Sequence, residues 1–306
     1  MLRALRALRI VPWTAQAKVA ALIVLMVTAL LLPWWYVTAY WPLWLLAEGL
    51  LTGALLYLLW CRIPLGYLLI PTELQGKLPQ PEGQPLLLSF DDGPTEGLTD
   101  RVLDLLRAHG VRASFFVLLA KAERHPALIR RIVSEGHLLG IHGEDHRLPL
   151  GRSRIELRES LRSCQEQLSQ WTGQPVQLFR PSHGVRTRAL LAALRDTGLR
   201  LCLWDHGVWD TDAPDPQTLL WRMRAVWSLG EKAGRPRVLL LHDGRGDELG
   251  PPPHTDSLLL ALAELLPELA RHIPSRSQQL PLRAMDAPDL AEVGHDVAQI
   301  RDLRVT

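Results

Sequence analysis

Two adjacent acids close an apolar run in "PLLLSFDDGP": Asp91 and Asp92 follow Phe90, and Gly93-Pro94 stops the stretch. Two imidazoles four residues apart, His142 and His146, lie in "GIHGEDHRLP". Arg180 falls in "FRPSHG", Asp205 and Asp210 in "LRLCLWDHGVWDTD", and His242 in "LLLHDG". Two neutral imidazoles with one carboxylate make a three-ligand set for a divalent ion, with positions left open for water and substrate. Such an ion lowers the pKa of a bound water. A second carboxylate, kept off the metal, would take the proton from that water, and His242 across the site could protonate a leaving amine. An arginine beside the base would hold it ionised and oriented. Singly, each motif has an ordinary structural reading: an Asp-led turn, histidines on a helix surface, a helix cap.

Their place in the chain is what joins them. After residue 85, short apolar runs alternate with amphipathic stretches. Strand-like runs at 85–90, 112–119, 137–143, 176–181, 199–205 and 236–243 are separated by helical patterns at 98–110, 125–136, 153–173, 186–198 and 216–230, and a last helix comes at 255–273. Alternation of this kind predicts a parallel sheet, as a barrel or a doubly wound sheet. In both, the carboxyl ends of the strands share one face, where ligands bind. Five strands would then deliver acids, imidazoles and an arginine to one rim: Asp91 and Asp92, His142 and His146, Arg180, Asp205 with Asp210, and His242.

The N-terminus has a different character. Residues 19–36 carry no charge and residues 43–60 only Glu48, each near the length of about 20 apolar residues that crosses a bilayer. Trp34, Trp35, Tyr36, Tyr40, Trp41 and Trp44 cluster between the runs, as at a membrane interface. Residues 1–71 are therefore expected to be a membrane segment with membrane lipid as a partner. Arg3, Arg6, Arg9 and Lys18 favour a cytoplasmic N-terminus, and Arg62 and Lys77 favour the same side for the chain beyond the second run. A single crossing would put that part of the chain on the other side, so the side stays open. Residues 72–84 read as a Pro- and Gly-rich linker, 85–273 as the catalytic domain, and 274–306 as a tail whose "QQLPLRAMD" could add a strand. A net charge of +2 gives no reason to expect a nucleic-acid partner. Cys61, Cys164 and Cys202 lie far apart with no CxxC pairing, which argues against a disulfide framework and a cysteine zinc site.

The order of motifs resembles the polysaccharide deacetylase, or NodB-homology, family of metal-dependent carbohydrate esterases and amidases (carbohydrate esterase family 4), over about residues 83–273. "SFDDGP", "HGEDH", "FRPSHG" and "VLLLHDG" carry the resemblance. It implies an α/β fold, a distorted and incomplete TIM-like (β/α) barrel, here preceded by an N-terminal transmembrane helical segment. It implies Asp91 as general base, and Asp92, His142 and His146 as ligands of a divalent metal ion, zinc or similar. Arg180 would orient the base, a backbone N–H near His183 would help hold the oxyanion, and His242 would be the general acid with Asp210 orienting it. The implied reaction removes an acyl group, usually acetyl, from an N-acylated amino sugar of a polysaccharide, peptidoglycan or lipid-linked saccharide. The chain departs from the family pattern at Gly143, where Ser or Thr is usual, at Ser182 and His183, where Pro and Tyr are usual, and at Gly207, where an acid is usual. The departures at Ser182, His183 and Gly207 motivate an alternative, a membrane-tethered carbohydrate-binding protein without turnover. A phosphatase built on the paired acids fits less well, since no Gly-rich phosphate loop appears.

Overall fold

The structure, a computed structural model, describes residues 49–53, 74–76, 78 and 84–273. The chain divides into two compact units, Met1–Ile70 and Pro71–Thr306. In the first, only residues 49–53 are described, as helix. Among the described residues no helix is long and apolar enough to cross a membrane. The two spans expected at 19–36 and 43–60 otherwise lie outside the described residues, as do most of the linker and the tail strand.

The second unit holds seven strands and six longer helices among its described residues: β1 (Leu86–Gly93), α1 (Thr99–Ala108), β2 (Ser114–Leu118), α2 (Pro126–Ser134), β3 (Leu138–Gly143), α3 (Arg154–Thr172), β4 (Leu178–Phe179), α4 (Arg188–Thr197), β5 (Arg200–Leu201), β6 (His206–Gly207), α5 (Pro216–Ala233), β7 (Arg237–His242) and α6 (Thr255–Ala270). All ladders are parallel, in the order β5-β4-β3-β2-β1-β7-β6. Every residue of β1 and β2 is buried, as expected of central parallel strands covered on both faces. The helices start and stop where local chemistry dictates. Ser153 and Glu156 form a reciprocal capping box at the head of α3. Asp215 accepts from Thr218 N–H ahead of Pro216 at the start of α5.

The strand order forces the sheet to curl. Strands β5 and β6 are opposite edges, yet only residues 202–205 join them. Flat, six inter-strand steps of about 4.8 Å would part the edges by about 29 Å. Five residue steps reach at most about 18 Å. The edges must therefore approach one another, although β5 does not pair with β6; on its open side Leu201 bridges to Gln75 instead. A parallel sheet that curls and stays open fits an incomplete TIM-like barrel.

Register and the two-residue side-chain period then fix what faces the interior. Leu87, Ser89 and Asp91 share one face of β1 and pair with Val238, Leu240 and His242 of β7. Leu78, Leu87, Phe116, Leu138, Leu178 and Cys202 form the apolar layer inside, with Val238 packed against it. Polar residues sit above that layer, at the carboxyl ends.

Candidate active site

Adjacent residues of a regular strand point to opposite faces, so Asp91 and Asp92 could not both reach the rim from an unbroken β1. The strand is broken at that point. Asp91 pairs with Phe116 and Gly93 with Val117, which leaves Asp92 as an extra, bulged residue. Its φ of 71° is left-handed, a conformation Asp tolerates better than most residues at a cost of about 1–2 kcal/mol. Three contacts hold the bulge: Lys121 Nζ donates to Asp92 O (2.8 Å), Gly246 N–H to Asp92 Oδ2 (2.8 Å), and Asp243 N–H to Asp91 O (3.1 Å).

Turned this way, Asp92 Oδ1 lies 3.3 Å from His142 Nε2 and 3.2 Å from His146 Nε2. One ligand atom from each of the three residues lies within 4.8 Å of the others. His142 Nδ1 is 2.8 Å from Arg180 O, so it carries the proton and leaves Nε2 with a lone pair. Asp92 Oδ1 is buried and accepts no hydrogen bond. A buried carboxylate oxygen facing imidazole lone pairs needs a cation or a proton between them, so the residues present fit a divalent ion. The electrostatics agree. Burial opposes ionisation of Asp92, but the close approach of His142 and His146 outweighs it and holds the carboxyl well below its usual range. For His142, burial favours the neutral ring, while Asp91 and Asp92 outweigh it and raise the pKa. A metal ion would take the place of that shared proton.

Asp91 stays outside this set. Its Oδ1 accepts from Arg180 Nη1 at 2.8 Å, and its Oδ2 is 3.9 Å from His142 Nδ1. Arg180 is fully buried. Its Nη1 also donates to Ser89 Oγ (2.9 Å), its Nε to Cys202 O (3.1 Å) and its Nη2 to Leu203 O (3.1 Å), while its Cζ lies over the Phe116 ring, 3.9 Å from the centroid. The guanidinium thus spans the barrel interior, with its position fixed by acceptors on both sides.

Across the rim, Asp210 grips His242 twice. Oδ2 accepts from the His242 backbone N–H (2.7 Å) and Oδ1 lies 3.0 Å from His242 Nδ1, which leaves Nε2 as the atom that can hand over a proton. Burial alone would lower the His242 pKa; the Asp210 charge and hydrogen bond, with Asp92 and Asp91, raise it to about 9. His254 Nε2 adds a contact to His242 O at 2.9 Å.

Asp91, Asp92, His142, His146, Arg180, Asp210 and His242 are thus gathered at one end of the sheet. Asp205 is not, which corrects the expected rim. It accepts from Val238 N–H (2.9 Å) and sits 3.6 Å from Arg237, at the opposite end of β7. The reason is topological: β5 ends at Leu201, and Asp205 belongs to the segment that turns back to start β6. Nor do Glu144 and Asp145 point their carboxylates at the metal cluster; Glu144 accepts from Ser160 Oγ (3.1 Å) and Asp145 from Arg147 (2.5 Å). Gly143, where the resemblance leads one to expect a hydroxyl, has a φ of 132° that disfavours any side chain. The loop is held through Ala120 N–H on Glu144 O (2.9 Å) and His146 N–H on Asp247 Oδ1 (2.9 Å). His183, also left-handed, sets its ring edge-on to His146, 4.6 Å between centroids. Residues not anticipated are Ser89, Lys121, Gly246, Asp247 and His254. Ser89 could have been found as the polar residue two before Asp91 in an apolar strand, and Lys121 as the lone cation in "FFVLLAKA".

Comparison with known proteins meets this geometry. The profile of the family described as polysaccharide deacetylase matches residues 79–202, the part that carries Asp91, Asp92, His142, His146 and Arg180. A peptidoglycan-N-acetylglucosamine deacetylase of Bacillus cereus is 30% identical over 189 residues, 60% of this chain and 80% of that protein. A chitooligosaccharide deacetylase of Rhizobium leguminosarum bv. trifolii is 30% identical over 187 residues, 60% of this chain and 84% of that protein. Among solved structures, the Bc1960 peptidoglycan N-acetylglucosamine deacetylase superposes with a TM-score of 0.55 at 25% identity, covering 64% of this chain and 86% of that one. Motif order, barrel and relatives agree: this chain belongs to the polysaccharide deacetylase family.

Proposed function

We propose that the chain is a metal-dependent deacetylase that hydrolyses the N-acetyl group of N-acetylglucosamine residues in peptidoglycan or a chitin-like oligosaccharide. The observation that carries this is the Asp92, His142 and His146 cluster, with Asp91–Arg180 on one side and His242–Asp210 on the other. Relatives whose names give such substrates support the sugar class. Asp92, His142 and His146 would hold a divalent ion, zinc by the nature of the ligands. When bound, the ion supplies Lewis acidity to water and to the amide carbonyl. Asp91, paired with Arg180, accepts a proton from the attacking water as the new C–O bond forms. His242 Nε2 delivers its proton to the amide nitrogen as the C–N bond breaks, so the products are acetate and an amine. Asp210 holds the tautomer that makes this possible and stabilises the imidazolium beforehand.

The purified full chain should release acetate from N-acetylglucosamine oligomers, lose that activity to a chelator and recover it with added zinc. No acetate release under any divalent ion would leave the carbohydrate-binding alternative standing. We also propose that residues 19–36 and 43–60 anchor the chain in a membrane. Reporter fusions after residue 80 would show which side the domain faces, and a chain that is fully extracted by salt alone would refute the anchor.

A further inference from the structure

The ligand-bearing strands β1 and β3 are not neighbours; β2 lies between them. Directly after β2, the single helical turn Leu119–Ala122 touches both ligand-bearing segments. Ala120 N–H donates to Glu144 O, in the loop between His142 and His146 (2.9 Å), and Lys121 Nζ donates to Asp92 O (2.8 Å). Lys121 is a cation with only 3% of its surface exposed, in a stretch whose neighbours Leu119 and Ala122 are core residues. The charges facing it are carboxylates from two segments: Asp92 on β1, and Asp243, Asp247 and Glu248 in the loop after β7. Burying an ammonium is costly without paired acceptors, so its retention there calls for a reason. Its hydrogen bond goes to the carbonyl of the residue whose left-handed backbone turns a carboxylate into the metal cluster. Space above that carbonyl is reserved as well, since a Cβ on Gly244 would overlap Asp92 O and lie 2.9 Å from Lys121 Nζ.

We propose that Lys121 is a positioning residue of the metal centre: its hydrogen bond to Asp92 O locks the bulge that aims Asp92 at His142 and His146. The turn that carries it hydrogen-bonds to both ligand-bearing segments. This rests on the metal reading of the cluster and adds to it a residue that touches neither ion nor substrate. The bond needs only an N–H on Nζ, which ammonium and amine both supply.

The test is zinc affinity, measured on the full chain by competition with a chromogenic chelator, alongside the thermal midpoint of the ion-free protein. Lys121→Met, which keeps the stem and removes the donor, should weaken zinc binding about 10- to 100-fold, the range for loss of an outer-shell partner. Lys121→Gln, which keeps a shorter N–H donor, should weaken it less. A merely structural lysine would lower the midpoint and leave the affinity alone, so Lys121→Met within twofold of wild type overturns the inference whatever its midpoint. If Lys121→Met does not fold, the charge-balanced Lys121→Met/Asp243→Asn variant is held to the same criterion. A wild-type chain that binds no divalent ion would overturn the metal reading and this inference with it. A wild type that binds while Lys121→Met binds equally well overturns only the latter.

Discussion

Replacing Arg180 with Met tests the electrostatic frame of the site. The substitution roughly keeps the side chain's reach and removes its charge and every donor. Four acceptors lose a partner: Asp91 Oδ1, Ser89 Oγ, Cys202 O and Leu203 O. Asp91 is the costly one, because only 2% of it is exposed. Removing one member of a buried ion pair costs about 3–5 kcal/mol. For a domain of this size, about 2–4 °C per kcal/mol puts the loss of thermal midpoint at about 6–20 °C. Asp91 also loses the partner that orients it as base. Acetate release at neutral pH should fall by about 10²–10⁴, the usual contribution of general base catalysis. The double variant Arg180→Met/Asp91→Asn, with no buried charge left unpaired, should regain most of the midpoint and none of the activity. Thermal melts and acetate-release rates of the three proteins decide the matter. A single variant with wild-type midpoint and wild-type rate would refute the reasoning.

The geometry sets three further outcomes. Asp210→Asn should shift the basic limb of the pH-rate profile to lower pH. In ion-free protein the folded His242 pKa of about 9 lies above its ordinary value of 6.5, so its stabilising contribution is complete below pH 6.5 and lost as pH rises through 9; pH-dependent melts of the variant should lack this slope. Zinc at about 100 times its dissociation constant should stabilise the wild type by about 2.7 kcal/mol, and His142→Ala should abolish the gain in a thermal-shift measurement. Gly244→Ala would push a Cβ into the Asp92 carbonyl, and because that neighbour is backbone, the bulge must move; the expected result is a folded protein with weakened zinc binding by chelator competition.

Much of this was legible from residue spacing. Each motif at the end of β1, β3, β4 or β7 reached the rim, because a buried parallel strand gives a strong apolar signal and its carboxyl end is set by chain direction alone. The short strands were different. Strand β6 is two residues, His206–Gly207, with no apolar pattern of its own, and missing it put Asp205 at the wrong end of the sheet. The bulge at Asp92 was equally hidden, since a left-handed Asp leaves no mark beyond the acid itself. Lys121 shows why burial cannot be read from residue type: a lysine after a strand is ordinarily solvated, and here β1, the loop after β7 and the turn at Leu119–Ala122 enclose it.

The central claim is a division of labour between two neighbouring acids, Asp92 for the metal and Asp91 for the proton. Zinc stoichiometry and acetate release from an N-acetylglucosamine oligomer, measured on the same Asp91→Asn preparation, test it most directly. One zinc ion per chain with acetate release slowed at least about 100-fold is the predicted result. Full activity, or loss of the zinc ion along with the activity, would contradict it.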